Sequence, residues 1–220
     1  MGSERDNYET LLNLKIPFSQ PPFSFLFAIH TDALNLPPLY QPFKGSHLDN
    51  WPRYVETTLP VASHTPTYYA LDCEMVQMDD LSKQVGRVSL VNALGEVVID
   101  LIVRPDGYVK DSLYRWSGLT KADVLKSPYR LKDVQREMLS IVKASDFIIG
   151  HSVHYDLHAL QLKHPLVVDT AAVYFELGRN GNPPALRYLS KDLLNKTIQQ
   201  GSHSSVEDAK ITLELMKLKF

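Results

Sequence analysis

Asp72 and Glu74 stand two residues apart in Tyr68-Tyr69-Ala70-Leu71-Asp72-Cys73-Glu74-Met75-Val76, a run otherwise rich in aromatic, β-branched and other apolar residues. Such a run reads as a strand bound for the middle of a sheet. The two-residue period of a strand puts both acids on one face. Burying an unpaired carboxylate is costly, and two side by side repel unless protons or cations intervene. Two readings follow. An edge strand would leave both acids solvated. A central strand would gather them for a hard cation such as Mg²⁺ or Mn²⁺, which favours carboxylate oxygen. Two acids do not complete such a site, so further ligands must come from elsewhere in the chain.

Asp156 and Asp208 are the candidates. Gly150 closes the short apolar run Phe147-Ile148-Ile149-Gly150, and His151-Ser152-Val153-His154-Tyr155-Asp156 opens the next helix. Asp156 is thus near the carboxyl end of a strand, where α/β sheets tend to place functional groups. Asp208 lies early in the last helix, and His203 stands five residues before it, just ahead of a capping-box pair, Ser204 and Glu207. Taken singly, an acid in a first helical turn also serves to complement the helix dipole. His154 and His158, four apart, resemble a zinc-protease helix only superficially. That motif needs Glu directly after the first His, where this chain has Tyr155, and no third ligand is evident.

The elements that must position these groups follow from periodicity. After the first strand, Gly86–Val91 and Glu96–Val103 form a hairpin through Asn92-Ala93-Leu94-Gly95. A loop passes through Trp116-Ser117-Gly118-Leu119-Thr120. Leu131, Val134, Met138 and Ile141 then mark an amphipathic helix. The strand 147–150, a helix over Ser152–Leu162, the strand Leu166–Asp169 and a helical turn around Ala171–Phe175 come next. A glycine- and proline-rich loop over 178–184 leads to a helix over Ala185–Leu194. The last helix carries Val206, Ala209, Leu213, Met216 and Phe220 on one apolar face. Strands first, then alternating helix and strand, describe a mixed α/β structure with a hairpin on an otherwise parallel sheet.

Residues 1–66 differ in kind. They hold nine of the 14 prolines and nine of the 21 aromatics, among them Phe18, Phe23, Phe25, Phe27 and Trp51. Proline density forbids long helices and central strands, and aromatic density argues against plain disorder. The expectation is an irregular arm, 1–66, packing its aromatics on a domain over 67–220; the alternative is a set of stacking platforms for single-stranded nucleic acid.

Composition narrows the class. With 220 residues, 44% hydrophobic, the chain can bury one sizeable core. No run approaches the ~18 apolar residues of a membrane span, and no secretory signal opens the chain. The lone Cys73 excludes an intramolecular disulfide and a multi-cysteine zinc site. A formal net charge of −2 does not advertise a nucleic-acid binder, although an acidic metal site hides its cations from that count. Between Lys110 and Arg136, seven basic residues stand against three acids, a local excess suited either to a phosphate backbone or to a solvated helix face.

Three segments in order, Asp72-Cys73-Glu74-Met75-Val76, Gly150-His151-Ser152-Val153-His154-Tyr155-Asp156-Leu157 and His203-Ser204-Ser205-Val206-Glu207-Asp208-Ala209, resemble the three motifs of the DEDDh exonucleases. The Asp-Cys-Glu-Met-Val form, Trp116-Ser117-Gly118-Leu119-Thr120, Val168-Asp169-Thr170 and Ser-Val-Glu-Asp-Ala are similar to the eukaryotic RNA exonuclease branch. The resemblance covers about residues 68–220. It implies a ribonuclease-H-like mixed sheet with flanking helices, with Asp72, Glu74, Asp156 and Asp208 binding two Mg²⁺ or Mn²⁺ ions and His203 as catalytic base. It further implies 3′-to-5′ removal of nucleoside 5′-monophosphates from single-stranded RNA 3′ ends, in RNA processing or turnover. Met75 and Trp116 are candidates to contact the substrate. DNA or very short oligonucleotides are the alternative substrates, and an inactive RNA-binding module the alternative class. Nuclear or nucleolar residence is what the family suggests, with the cytoplasm as the other possibility. Ser204 departs from the acid or amide common there. Asp169 reads as structural, and His151 as a shaper of the strand-to-helix turn.

Overall fold

Asp72 and Glu74 lie in the longest strand of the computed structural model, Tyr68–Met78, in which residues 54–58 and 64–219 are described. In chain order the strands are β1 (Val55–Glu56), β2 (Tyr68–Met78), β3 (Lys83–Asn92), β4 (Val97–Ile102), β5 (Val109–Asp111), β6 (Phe147–Gly150), β7 (Leu162–Lys163) and β8 (Val167–Asp169). The helices are α1 (Tyr114–Ser117), α2 (Lys121–Lys126), α3 (Leu131–Ile141), α4 (His154–Ala159), α5 (Thr170–Val173), α6 (Leu186–Leu194) and α7 (Ser205–Lys219), with a 3₁₀ turn over Phe175–Leu177. The arm's prolines and aromatics up to residue 53, and Phe220, lie outside the described residues.

Six strands make one sheet in the order β4-β3-β2-β6-β8, and β5 pairs with the far end of β2. β2, β3 and β4 are antiparallel neighbours, whereas β2–β6 and β6–β8 run parallel. This is the mixed sheet the sequence implies. β2 has partners on both sides, so its acids are not the solvated acids of an edge strand.

Alternation divides β2 between two cores. Ala70 packs with Val91, Ile149 and Val168 against Leu189 of α6 and Ala209, Leu213 and Met216 of α7. Leu71 packs on the opposite face with Leu90 and Ile148 against Val134 and Met138 of α3 and Leu157 of α4. Full burial of each such Leu or Ile contributes about 1.5–3 kcal/mol. A smaller cluster, Val76, Met78, Val109, Leu119 and Val124, seats α2 under the far end of β2. No helix among the described residues is long and apolar enough to cross a membrane.

Between Glu74 and Met75 the β2–β3 register slips, Glu74 facing Arg87 and Met75 facing Val85, so Gly86 is the extra residue of a bulge. A Cβ there would come within 2.8 Å of Val76 Cγ1 and 2.9 Å of Leu119 Cδ1, which explains the glycine. The kink falls directly after the second acid of the strand.

Several elements differ from the sequence expectation, which holds no strand at β1, β5 or β7 and starts β3 at Gly86 rather than Lys83. The helix expected over Ser152–Leu162 is only His154–Ala159, because Ser152 and Gln161 flank it with φ of 57° and 48°, and Leu162 is drawn into β7. The expected loop through Trp116 holds a helical turn, closed by Gly118 at φ 67°, whose N–H donates to the Tyr114 carbonyl. It is followed by α2, begun by a Thr120–Asp123 capping box. The last helix does start behind Ser204, whose Oγ accepts from Glu207 N at 3.4 Å. Its buried surface is wider than one stripe, taking in Ile211 and Leu215, since the sheet and α6 cover it from two directions.

Candidate active site

Asp72 and Glu74 share the parity of Ala70 and so project from β2 toward α7. The start of α7 is fixed over them by a buried hydroxyl pair: Ser205 Oγ lies 2.7 Å from Ser89 Oγ, and Ser89 is the β3 partner of Asp72. One turn into α7 comes Asp208, 3% exposed. Its Oδ2 accepts from Gln199 Nε2 at 2.7 Å. Asp156 arrives from α4 and is also buried, its Oδ1 accepting from the Cys73 amide at 3.0 Å, between the two acids of β2. His203 is held by its backbone, whose N–H donates to the Trp116 carbonyl, and its Nδ1 is 3.9 Å from Asp208 Oδ2. Five residues spread over 137 positions of sequence thus meet at one end of the β2–α7 contact.

The electrostatics are those of crowded acids. Burial pushes the Asp72 carboxyl well up, and the charges of Asp156, Asp208 and Glu74 push it further. Burial raises Glu74 to about 8, reinforced by Asp208 and opposed by Arg87. Burial raises Asp208 to about 6 despite the Gln199 hydrogen bond. Asp156 is also driven well up by burial, against the stabilising Cys73 amide. His203 is shifted the other way, down, by burial and then by the nearby Arg187 charge. Each of the four carboxyl shifts favours a proton or a cation over a bare carboxylate.

Whether these residues suit a divalent ion can be judged from their oxygens. Glu74 Oε1 and Asp208 Oδ1 are buried without any hydrogen-bond partner, which is costly unless something positive meets them. Among the described residues no three His, Cys, Asp or Glu side chains converge into a ready-made cage. The all-carboxylate donor set and its two orphaned oxygens fit a hard divalent cation.

The sequence comparison decides the family. An exonuclease family model, RNase T, matches residues 69–216. The chain belongs to the RNase T exonuclease family. It is 45% identical over 152 residues to RNA exonuclease 1 of Saccharomyces cerevisiae, covering 69% of this chain and 27% of that protein. It is 40% identical over 172 residues to RNA exonuclease 4 of Candida glabrata, covering 74% and 65%. The chain therefore spans less than two thirds of either relative. Among solved structures, the catalytic unit of Neurospora crassa Pan2 aligns at TM-score 0.62 and 25% identity, over 76% of this chain and 30% of that one. The Saccharomyces cerevisiae Pan2 pseudoubiquitin hydrolase–RNA exonuclease module in complex with A7 RNA aligns at 0.61 and 25%, over 73% and 30%. The fold of these exonuclease domains is the ribonuclease-H-like one.

Within the exonuclease domain the remaining candidates separate. Trp116 is 56% exposed and lies beside His203, with the Arg115 guanidinium 5.9 Å from its ring, so it does not fill the core. Met75 sits partly buried at the bulge. Asp169 caps α5 through Ala171 N and also accepts from Ser152 N at 2.7 Å, holding the left-handed residue that turns β6 into α4. His151 Nδ1 lies 3.0 Å from Thr170 Oγ1, bracing the same turn. His154 and His158 diverge, the first toward Asp169 and the second to Tyr54, so the zinc-protease reading fails. Gln199, the Ser89–Ser205 pair and Tyr54 carried no sequence signal. Gln199 sits in a polar run, and the other contacts join residues more than 100 positions apart.

Proposed function

We propose that this chain is a divalent-metal-dependent 3′-to-5′ exoribonuclease that releases nucleoside 5′-monophosphates. Its proposed setting is RNA 3′-end processing or turnover in the nucleus or nucleolus. The observation that carries the reading is the pair of buried, partnerless oxygens of Glu74 and Asp208 inside a four-acid cluster with His203 at its rim. Asp72, Glu74, Asp156 and Asp208 would hold two Mg²⁺ or Mn²⁺ ions, which when bound activate the attacking water and stabilise the leaving 3′ oxygen. His203 accepts the water's proton. Its lowered pKa keeps the imidazole neutral near pH 7, the form a base requires. Trp116 offers an exposed face for the terminal nucleotide, and Met75, next to Glu74 and across from the Gly86 bulge, its backbone and side chain.

Substrate class rests on the names of the relatives and on charge. Arg130 is paired with Asp106 and Arg136 with Asp133, whereas Lys110, Arg115, Lys121 and Lys132 make no ion pair among the described residues. These four are available to phosphates, so binding should weaken with salt. The complete set of five residues favours an enzyme over an inactive binding module. The test is to separate the products of single-stranded RNA and of a DNA strand of the same sequence. Nucleoside 5′-monophosphates released first from the RNA 3′ end, with DNA cut more slowly, support the proposal. Faster DNA cleavage, or internal cuts, would contradict it.

A further inference from the structure

Helix α4 delivers Asp156 but is poorly equipped to hold itself. It has six residues, far below the ~12–15 that an isolated helix needs in water, and Val153 makes no side-chain cap. Left-handed residues flank it on both sides.

Besides its core contacts through Leu157 and Leu160, α4 is held by residues 54–58, upstream of the region the family model matches. β1 runs parallel to β7, which follows α4 directly, with Val55 N donating to the Gln161 carbonyl at 3.0 Å and Thr57 N to the Lys163 carbonyl at 3.2 Å. The Tyr54 hydroxyl reaches α4 itself, 2.7 Å from His158 Nδ1 and 3.4 Å from the His158 carbonyl. Val55 packs on the apolar cluster that contains Leu157 and Leu160. The other end of the segment is tied to the base of the sheet. Thr57 Oγ1 lies 2.9 Å from Nδ1 of buried His164, whose Nε2 lies 2.9 Å from the Asp146 carbonyl, and the Thr58 carbonyl accepts from Ala144 N. Gln135 Nε2 adds a bond to the Leu160 carbonyl. The Leu160 and Gln161 carbonyls, just past the end of α4, are thus satisfied by Gln135 and Val55.

We propose that residues 54–58 are a working part of the nuclease: a strap that fixes α4 and so sets the place of Asp156, with Tyr54 as a positioning residue. This rests on Asp156 being a metal-binding acid, as proposed above. Tyr54 touches no reacting atom; it acts through His158, two residues beyond that acid.

The experiment uses the full chain as Tyr54→Phe, His158→Ala and the double variant. Mn²⁺ affinity is read by calorimetry, RNA trimming at limiting and saturating Mn²⁺, and the thermal midpoint alongside. Tyr54→Phe keeps the ring and loses only the hydroxyl. The strap predicts Mn²⁺ affinity about three- to tenfold weaker, at or below the low end for direct partners of metal ligands, because Tyr54 acts through His158. It also predicts trimming lost at limiting Mn²⁺ but recovered at saturation, an unchanged KM for RNA, and a double variant no worse than the weaker single one. A lowered thermal midpoint with parental Mn²⁺ affinity would make Tyr54 merely structural and overturn the proposal, as would no change at all. If the parent binds no Mn²⁺ and Asp156→Asn trims normally, the metal-site reading falls and the strap with it. If Asp156→Asn abolishes trimming while Tyr54→Phe matches the parent, only the strap falls.

Discussion

Asp208 shows how much one carboxylate is asked to do. One oxygen is engaged by Gln199, the other is buried without a partner, and burial lifts its pKa to about 6. Asp208→Asn keeps the shape but removes a repelling charge. It should abolish trimming while leaving the metal-free thermal midpoint equal or higher; retained activity in Mg²⁺ would take Asp208 out of the site. Gln199 has a left-handed backbone, φ 56°, and its amide donates to Asp208 Oδ2. Gln199→Ala should weaken Mn²⁺ binding about tenfold, and unchanged affinity would reduce the contact to packing. His203→Ala should slow hydrolysis ~10²- to 10⁴-fold with metal affinity near the parent's. Equal rates and pH profiles in parent and variant would assign the base elsewhere. That Asp72 and Glu74 share one strand face was legible from strand period, and the segments that bring Asp156, Asp208 and His203 near them from the motif resemblance. Gln199 was not, since nothing in Gln199-Gln200-Gly201-Ser202 marks which amide turns inward.

The elements that carry these residues were readable where a local pattern sufficed and misread where a distant partner intervened. β6 and α3 run as their apolar patterns predict, 147–150 and 131–141. The helix around Asp156 came out shorter, because β1 claims Leu162–Lys163 from more than 100 residues upstream. The bulge after Glu74 was invisible too, since Gly86 earns its place only by its closeness to Val76 and Leu119. Gly86→Ala tests that element. Overpacking there costs about 1–3 kcal/mol, and relief by shifting β2 would carry Glu74 with it. We expect a lower urea midpoint together with weaker Mn²⁺ binding; a variant as stable and active as the parent would show that Leu119 and Val76 give way without moving the strand.

For the molecule as a whole, a central sheet has been built around charges that oppose its folding. Asp72, Glu74, Asp156 and Asp208 all have raised pKa values, so the folded chain binds protons that the unfolded chain has lost. Their protonated forms stabilise the fold at low pH. That contribution declines as pH rises from the ordinary carboxylate range near ~4 through about 6 for Asp208 and about 8 for Glu74. The metal-free protein should therefore lose thermal stability on going from pH 5.5 to 8 (approximate bounds set by those values). Mn²⁺ should restore more of it at the upper end, and a pH-independent Mn²⁺ effect would mean that the ion meets other groups. The central claim, that this cluster trims RNA from its 3′ end with divalent metal, is tested most directly by incubating the full chain with 5′-labelled single-stranded RNA, with Mg²⁺ or with chelator. A ladder of labelled products shortening stepwise from the 3′ end in Mg²⁺, and intact RNA in chelator, is the predicted result. Trimming that persists in chelator, or label released at once as a mononucleotide from the 5′ end, would contradict it.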